Sequence, residues 1–184
     1  MYQMKRSATL ALITIICGAY LLQMLDPTIK TNLALISDPV HGYGVSSGEW
    51  YRLFSVALTH GGLTHLAFNM FSLLVLGNPI EAAFGKVRFL VIFFVSLLTG
   101  SLASIYFSQG LVYSIGASGA IFGLFGALMI VGKRIGANVK EIGIIIGFNF
   151  ALGFIFGGVD WKAHLGGLAG GAATTFILLR ITRL

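Results

Sequence analysis

The sequence predicts an all-α polytopic membrane protein of six transmembrane helices, and two observations carry that prediction. The first is composition: 57% of the 184 residues are hydrophobic and 10% are charged, against roughly 25% charged in soluble domains. Mean hydropathy is +0.91. The second is where the charges fall. They leave windows 7–25, 53–80, 89–132, 142–159 and 163–179 free of Asp, Glu, Lys and Arg. A soluble enzyme and a disordered tail are excluded on these grounds.

Each element follows in turn. A bilayer-crossing helix needs about 20 apolar residues. The first window holds a span at 8–25, behind Lys5-Arg6. It ends in Met24-Leu25-Asp26-Pro27 without a small-x-small cleavage site, so it reads as a retained helix rather than a signal peptide. Cys17, the single cysteine, lies within it, and no intramolecular disulfide can form. Residues 26–63 form an outer loop with Pro27, Pro39 and a Gly/Ser-rich stretch from Gly42 to Gly48. The loop then turns amphipathic at Glu49-Trp50-Tyr51-Arg52-Leu53-Phe54, with aromatics suited to the interface. The remaining spans are expected at 64–82, 88–107, 117–132, 142–158 and 163–180. The middle pair share the longest window, which Ser108-Gln109-Gly110 interrupts. All faces are apolar and period-two alternation is lacking, which favours helices over a barrel. No internal repeat divides the chain, so 1–184 reads as one membrane domain.

The net charge of +6 has a topological explanation. With the N-terminus inside, Lys5, Arg6, Lys86, Arg88, Lys133, Arg134, Lys140, Arg180 and Arg183 are cytoplasmic, and only Lys30, Arg52 and Lys162 of the 12 basic residues lie outside. This positive-inside bias puts both termini in the cytoplasm. A nucleic-acid partner is not expected; membrane lipids are. The compact size and the lack of an organelle-targeting segment point to a prokaryotic plasma membrane.

In so apolar a chain, the polar residues inside spans are the informative ones, because each is costly there. His65, Asn69, Ser118 and His164 stand out. Ser118 lies in Gly116-Ala117-Ser118-Gly119, where flanking glycines permit a tight turn and a helix N-terminus favours a developing oxyanion. His164 precedes Gly167 and Gly171, spaced as are Gly119 and Gly123. Small residues four apart let helices approach closely, which would bring Ser118 and His164 within reach. At 1.5 Å per residue, Ser118 lies about 22 Å above Lys133, His164 about 24 Å above Arg180 and His65 about 24 Å above Glu81. Asn69 is one turn deeper, so all four fall in one layer. Backbone 110–117 then dips into the membrane, tolerated only around a protein-lined wet cavity.

A serine and a histidine in one buried layer suggest nucleophile and general base. His65 and Asn69 are candidate oxyanion donors beside the Ser118 N–H. No acidic residue lies inside a span, which favours a dyad, and Asp160, in the outer turn before His164, is expected to have an interfacial or loop-fixing role. His60 and His65, five apart, cannot share a helix face, and no His-Glu-x-x-His occurs. A catalytic zinc is therefore not expected, and no cofactor is implied.

These residues, in order, resemble the rhomboid intramembrane serine proteases: His65-x-x-x-Asn69, then Gly116-Ala117-Ser118-Gly119, then Ala163-His164-Leu165-Gly166-Gly167. The resemblance runs from about 48 to 180 and takes in Leu76-Gly77, Glu81, Phe84-Gly85 and Asn149. It implies a minimal six-helix rhomboid-like bundle and an endopeptidase that cleaves transmembrane segments of other proteins. In that reading Ser118 attacks, His164 is the base, His65 and Asn69 assist the oxyanion, and Gly116 and Phe122 support the site, Phe122 as the aromatic against the histidine. The family's Trp-Arg pair in the outer loop reads Tyr51-Arg52 here, after Trp50. Small or helix-destabilising residues are expected near the cleavage point, since a substrate helix must unwind first. Phe148, Phe150, Phe154 and Phe156 are candidates for a lateral access route. The alternative is a non-catalytic relative that binds membrane helices; such relatives lack the serine, the histidine or both, and here both are present. A transporter would display paired repeat halves, which the chain lacks.

Overall fold

A computed structural model describes residues 7–136, 138, 140–147 and 159–181. Within them, five helices are long and apolar enough to cross a bilayer: Ala8–Leu25, Leu63–Phe84, Lys86–Phe107, Ser118–Ile135 and Trp161–Ile181. The chain is an integral membrane protein with a helical bundle. In order, the elements are α1 (Ala8–Leu25), α2 (Thr28–Leu33), β1 (Leu35–Asp38), β2 (Tyr43–Gly44), α3 (Arg52–Ser55), α4 (Leu63–Phe84), α5 (Lys86–Phe107), β3 (Val112–Ser114) and α6 (Ser118–Val131). The last turn of the α6 span, Gly132–Ile135, tightens to a 3-10 helix. A helix α7 covers 140–147, and α8 is Trp161–Ile181. The expected span at 142–158, with Asn149 and its four phenylalanines, lies mostly outside the described residues.

The N-terminal end of α1 and the C-terminal part of α4 are tied by one carboxylate. Glu81 accepts hydrogen bonds from the Ser7 hydroxyl, the Ala8 and Thr9 amides and the Thr9 hydroxyl, at 2.7–2.8 Å. The first N–H groups of a helix have no partner within it, and its positive end favours an anion. Glu81 supplies both from a neighbouring helix. Leu10, Ile15, Leu21 and Leu22 of α1, and Phe68, Phe71 and Val75 of α4, are exposed. In water so much open apolar surface would be a liability; lipid makes it the ordinary exterior of a span.

The helix α6 runs through the middle of the bundle, packed against α4, α5 and α8. Its contact with α8 is a seam of small residues. A Cβ added at Gly123 would lie 2.9 Å from the Gly167 carbonyl oxygen, one at Gly167 2.8 Å from the Gly119 carbonyl carbon, and one at Gly171 2.6 Å from the Gly123 Cα. At Gly167 and Gly171 the neighbours are backbone and cannot move aside; at Gly123 the Ser96 side chain stands closer still. The spacing of Gly119, Gly123, Gly167 and Gly171 did indicate this packing.

The loop over 26–63, expected on the outer side, is more structured than its composition suggests. Its hub is Arg52, 2% exposed. The guanidinium donates to the Glu49 carboxylate, to the Thr31 and Ala34 carbonyls at 2.8 Å, and to the Tyr43 hydroxyl at 3.3 Å. A buried cation survives only with its donors satisfied. Two strands of the loop join β3 in a small antiparallel sheet, ordered β2-β1-β3, which the sequence did not indicate. Its register pairs Leu35 with Ser114, Ile36 with Tyr113 and Ser37 with Val112. The strand β1 thereby fastens the outer loop to the segment that dips toward Ser118.

Candidate active site

The chain approaches Ser118 along β3, through Ile115 and Gly116. Gly116 has φ +105°, which L side chains rarely adopt. A Cβ there would also stand 2.9 Å from His65 Cε1. Its amide donates to the Val56 carbonyl at 3.0 Å, anchoring the turn to the outer loop. Ser118 is the first residue of α6, so its amide lacks an intrahelical acceptor. His164 lies in the first turn of α8, and its backbone N–H donates to the Asp160 carbonyl at 3.1 Å. The seam between α6 and α8 brings the two side chains together: His164 Nε2 is 2.9 Å from Ser118 Oγ. The imidazole is 7% exposed. Phe122, one turn after the serine, stacks on it with centroids 4.0 Å apart and planes 10° from parallel.

On the opposite wall, α4 contributes His65 and Asn69. Asn69 is buried, and its Nδ2 donates to the His65 carbonyl at 2.9 Å. That uses one of two amide hydrogens. His65 Nδ1 accepts the Gly61 amide at 3.3 Å. A neutral imidazole with Nδ1 as acceptor carries its proton on Nε2, the atom 3.0 Å from where a Gly116 Cβ would sit. His65 therefore offers a donor beside the serine turn. His65, Asn69, Ser118, Phe122 and His164 all line one cavity of about 1020 Å³. The layer computed from helix rise is a single place.

Asp160 is engaged elsewhere. Its Oδ1 accepts the Ala163 amide at 3.0 Å, capping α8, and its Oδ2 accepts the Ser104 hydroxyl. This is the loop-fixing geometry expected of it. Among the described residues, no three of His, Cys, Asp and Glu are grouped to hold a metal ion.

Three features escaped the sequence reading. His60 sits off the helix, so its ring does meet His65, with centroids 5.1 Å apart; the helix-face argument did not apply to it. His60 is fully buried, and the Gln23 side chain locks its backbone, donating to its carbonyl at 2.7 Å and accepting its amide at 3.1 Å. Burial pushes the His60 pKa down to about 3. Lys162, read only as an outer charge, also lines the cavity. Ser104, a silent hydroxyl in the sequence, holds Asp160 from α5.

Comparison with known proteins places the chain in a family. The Rhomboid domain family model matches residues 47–181. The chain belongs to the rhomboid family. It is 42% identical over 135 residues to "Rhomboid protease GluP" of Bacillus subtilis (strain 168), across 69% of this chain and 26% of that protein. It is 37% identical over 157 residues to "Putative rhomboid protease YdcA" of the same organism, across 81% of this chain and 78% of the relative. A plant rhomboid, "RHOMBOID-like protein 5" of Arabidopsis thaliana, is 41% identical over 143 residues, across 73% of this chain and 46% of its own length. The chain thus spans about a quarter of GluP and under half of the plant relative, but most of YdcA. The matched segment includes every residue of the rhomboid cavity named above.

Proposed function

We propose that this rhomboid is an intramembrane serine endopeptidase that cleaves transmembrane segments of other membrane proteins through a Ser118–His164 dyad. The observation that carries the reading is the 2.9 Å approach of His164 Nε2 to Ser118 Oγ at the wall of one cavity. The named proteases among its relatives support it.

Chemically, His164 with its proton on Nδ1 accepts the Ser118 proton at Nε2 as Oγ attacks the scissile carbonyl. The resulting imidazolium lies face-on to Phe122, whose ring quadrupole favours a cation. The oxyanion meets the Ser118 N–H at the positive end of α6, the His65 Nε2–H and the second amide hydrogen of Asn69. His164 then protonates the leaving amine, and water admitted to the cavity hydrolyses the acyl-enzyme. The bilayer is a prokaryotic plasma membrane in this reading, with both termini cytoplasmic and the cavity toward the outer face.

Fluorophosphonate labelling and cleavage of single-span substrates by the purified protein test the proposal. Ser118→Ala is expected to abolish both. His164→Ala is expected to be about as damaging, and the double variant little worse, because the members act as a unit. Labelling that persists unchanged in Ser118→Ala removes Ser118 from the mechanism. A folded wild type that binds membrane helices but never labels or cleaves would instead be a non-catalytic helix-binding protein.

A further inference from the structure

We propose that Lys162 is a specificity-determining residue that selects substrates carrying an acidic side chain on the outer side of the scissile bond. The inference rests on the protease reading above.

Lys162 is half-buried and lines the same cavity as Ser118 and His164. Its Nζ donates to the Ser108 hydroxyl at 3.0 Å and lies 6.0 Å from the Trp161 ring centroid. An ammonium has three donors, so two remain for a ligand. No carboxylate among the described residues takes them. All six acidic side chains, Asp26, Asp38, Glu49, Glu81, Glu141 and Asp160, are described, and among the described residues their ion pairs are Asp38 with His41 and Glu49 with Arg52. The nearest in sequence, Asp160, has one oxygen on the Ala163 amide and the other on the Ser104 hydroxyl.

Asp160 lines the same cavity, but Lys162 has no direct ion pair among the described residues, so a substrate carboxylate brought to its Nζ gains a charge-assisted hydrogen bond that a neutral side chain does not. Position decides which substrate residue would carry that carboxylate. Lys162 precedes His164 by two residues at the start of α8, about 3 Å nearer the outer loop along the helix axis. The acidic group therefore belongs on the outer side of the bond that Ser118 attacks. Ser104, Ser108 and Ser114 border the same cavity and offer hydroxyls rather than apolar side chains to such a residue.

The test is a series of single-span substrates that differ only by Asp, Asn or Lys at each of the four positions outward from the cleavage point. Each is assayed with wild type, Lys162→Gln and Lys162→Glu in detergent micelles. For wild type, kcat/KM is expected to favour Asp over Asn by about five- to tenfold at one or two positions, and raised salt should shrink that ratio. In Lys162→Gln the ratio should fall to near one, and in Lys162→Glu the order of Asp and Lys should reverse. Ratios taken within one variant cancel any change in folded fraction or turnover, and the Gln variant decides the matter if the Glu variant does not fold. Equal Asp/Asn ratios in wild type and Lys162→Gln overturn the proposal while leaving the protease reading intact. No cleavage of any substrate, with no labelling of Ser118, overturns both.

Discussion

Two regions of this rhomboid hold the candidate site, and they are built on different principles. Ser118 and His164 are carried by α6 and α8, which meet through glycine backbones with almost no side chain between them. His65 and Asn69 stand on α4, flanked by an outer loop organised around Arg52 and a three-stranded sheet. The seam sets distance by hard contact, which has no slack in either direction. The loop sets position by hydrogen bonds, which can be lost one at a time. Substitutions should therefore act steeply on the seam and in graded fashion on the other wall.

The largest effect is expected at the seam. Gly167→Ala introduces a Cβ 2.8 Å from the Gly119 carbonyl carbon, so the helices must separate. Overpacking of this kind costs about 1–3 kcal/mol or more, and an ångström of misplacement at the reacting atoms costs about 10²-fold in rate. Gly18→Ala is the matched control, since nothing lies within 4 Å of the added Cβ. Melting temperature and fluorophosphonate labelling rate should both fall in the first and stay unchanged in the second. Equal behaviour of the two would mean that the seam is compliant and the contrast between the regions is wrong.

On the hydrogen-bonded wall, Asn69→Ala should lower turnover by up to about 10²–10³-fold if Asn69 is a principal oxyanion donor. Apparent affinity should change little, because the interaction strengthens only as charge develops. His65→Ala should act in the same direction and less severely, with the Ser118 N–H and Asn69 still present. If Asn69→Ala melts early while its folded fraction cleaves at the normal rate, Asn69 is a packing residue. Smaller again is Asp160→Asn. It keeps an oxygen for the α8 cap and a polar atom for Ser104, and should retain a substantial part of the activity. A large loss without misfolding, judged by near-ultraviolet circular dichroism, would mean that Asp160 orients His164 and that two members do not suffice.

The five described spans were legible because charges are excluded from lipid, so their absence marks each of these crossings within a turn or so: 64–82 was expected and α4 is Leu63–Phe84. The Ser118–His164 approach was legible because glycines four apart have one use at a helix pair. What sequence could not reveal are contacts made by segments too short for a periodic signal. Strands of two to four residues, such as Tyr43–Gly44 and Leu35–Asp38, carry no alternation to read. Glu81 drew notice as a depth marker and through family resemblance; that it caps α1 depends on the packing of distant residues. His60 was set aside by a helical-face argument that fails once the residue precedes the helix.

His60 supplies the last and smallest test of the contrast, because it lies in the wall beside His65. Its ring packs on His65 and on Tyr20, with centroids 5.1 and 6.5 Å away, and neither ring nitrogen has a hydrogen-bond partner among the described residues. Burial holds the folded pKa at about 3, below the 6.5 of an unperturbed imidazole. Between those values the unfolded chain binds the proton and the folded protein does not, so this group's contribution falls as pH falls. From pH 6.5 to 5.5 the loss is about 1 kcal/mol. His60→Leu removes the titration without breaking a side-chain hydrogen bond, so its stability should decline by about that much less than wild type over the same interval. Thermal melts at the two pH values, in the same detergent, measure the difference. Parallel declines in wild type and His60→Leu would mean that His60 is hydrated in solution, and that the wall around His65 is looser than its packing indicates.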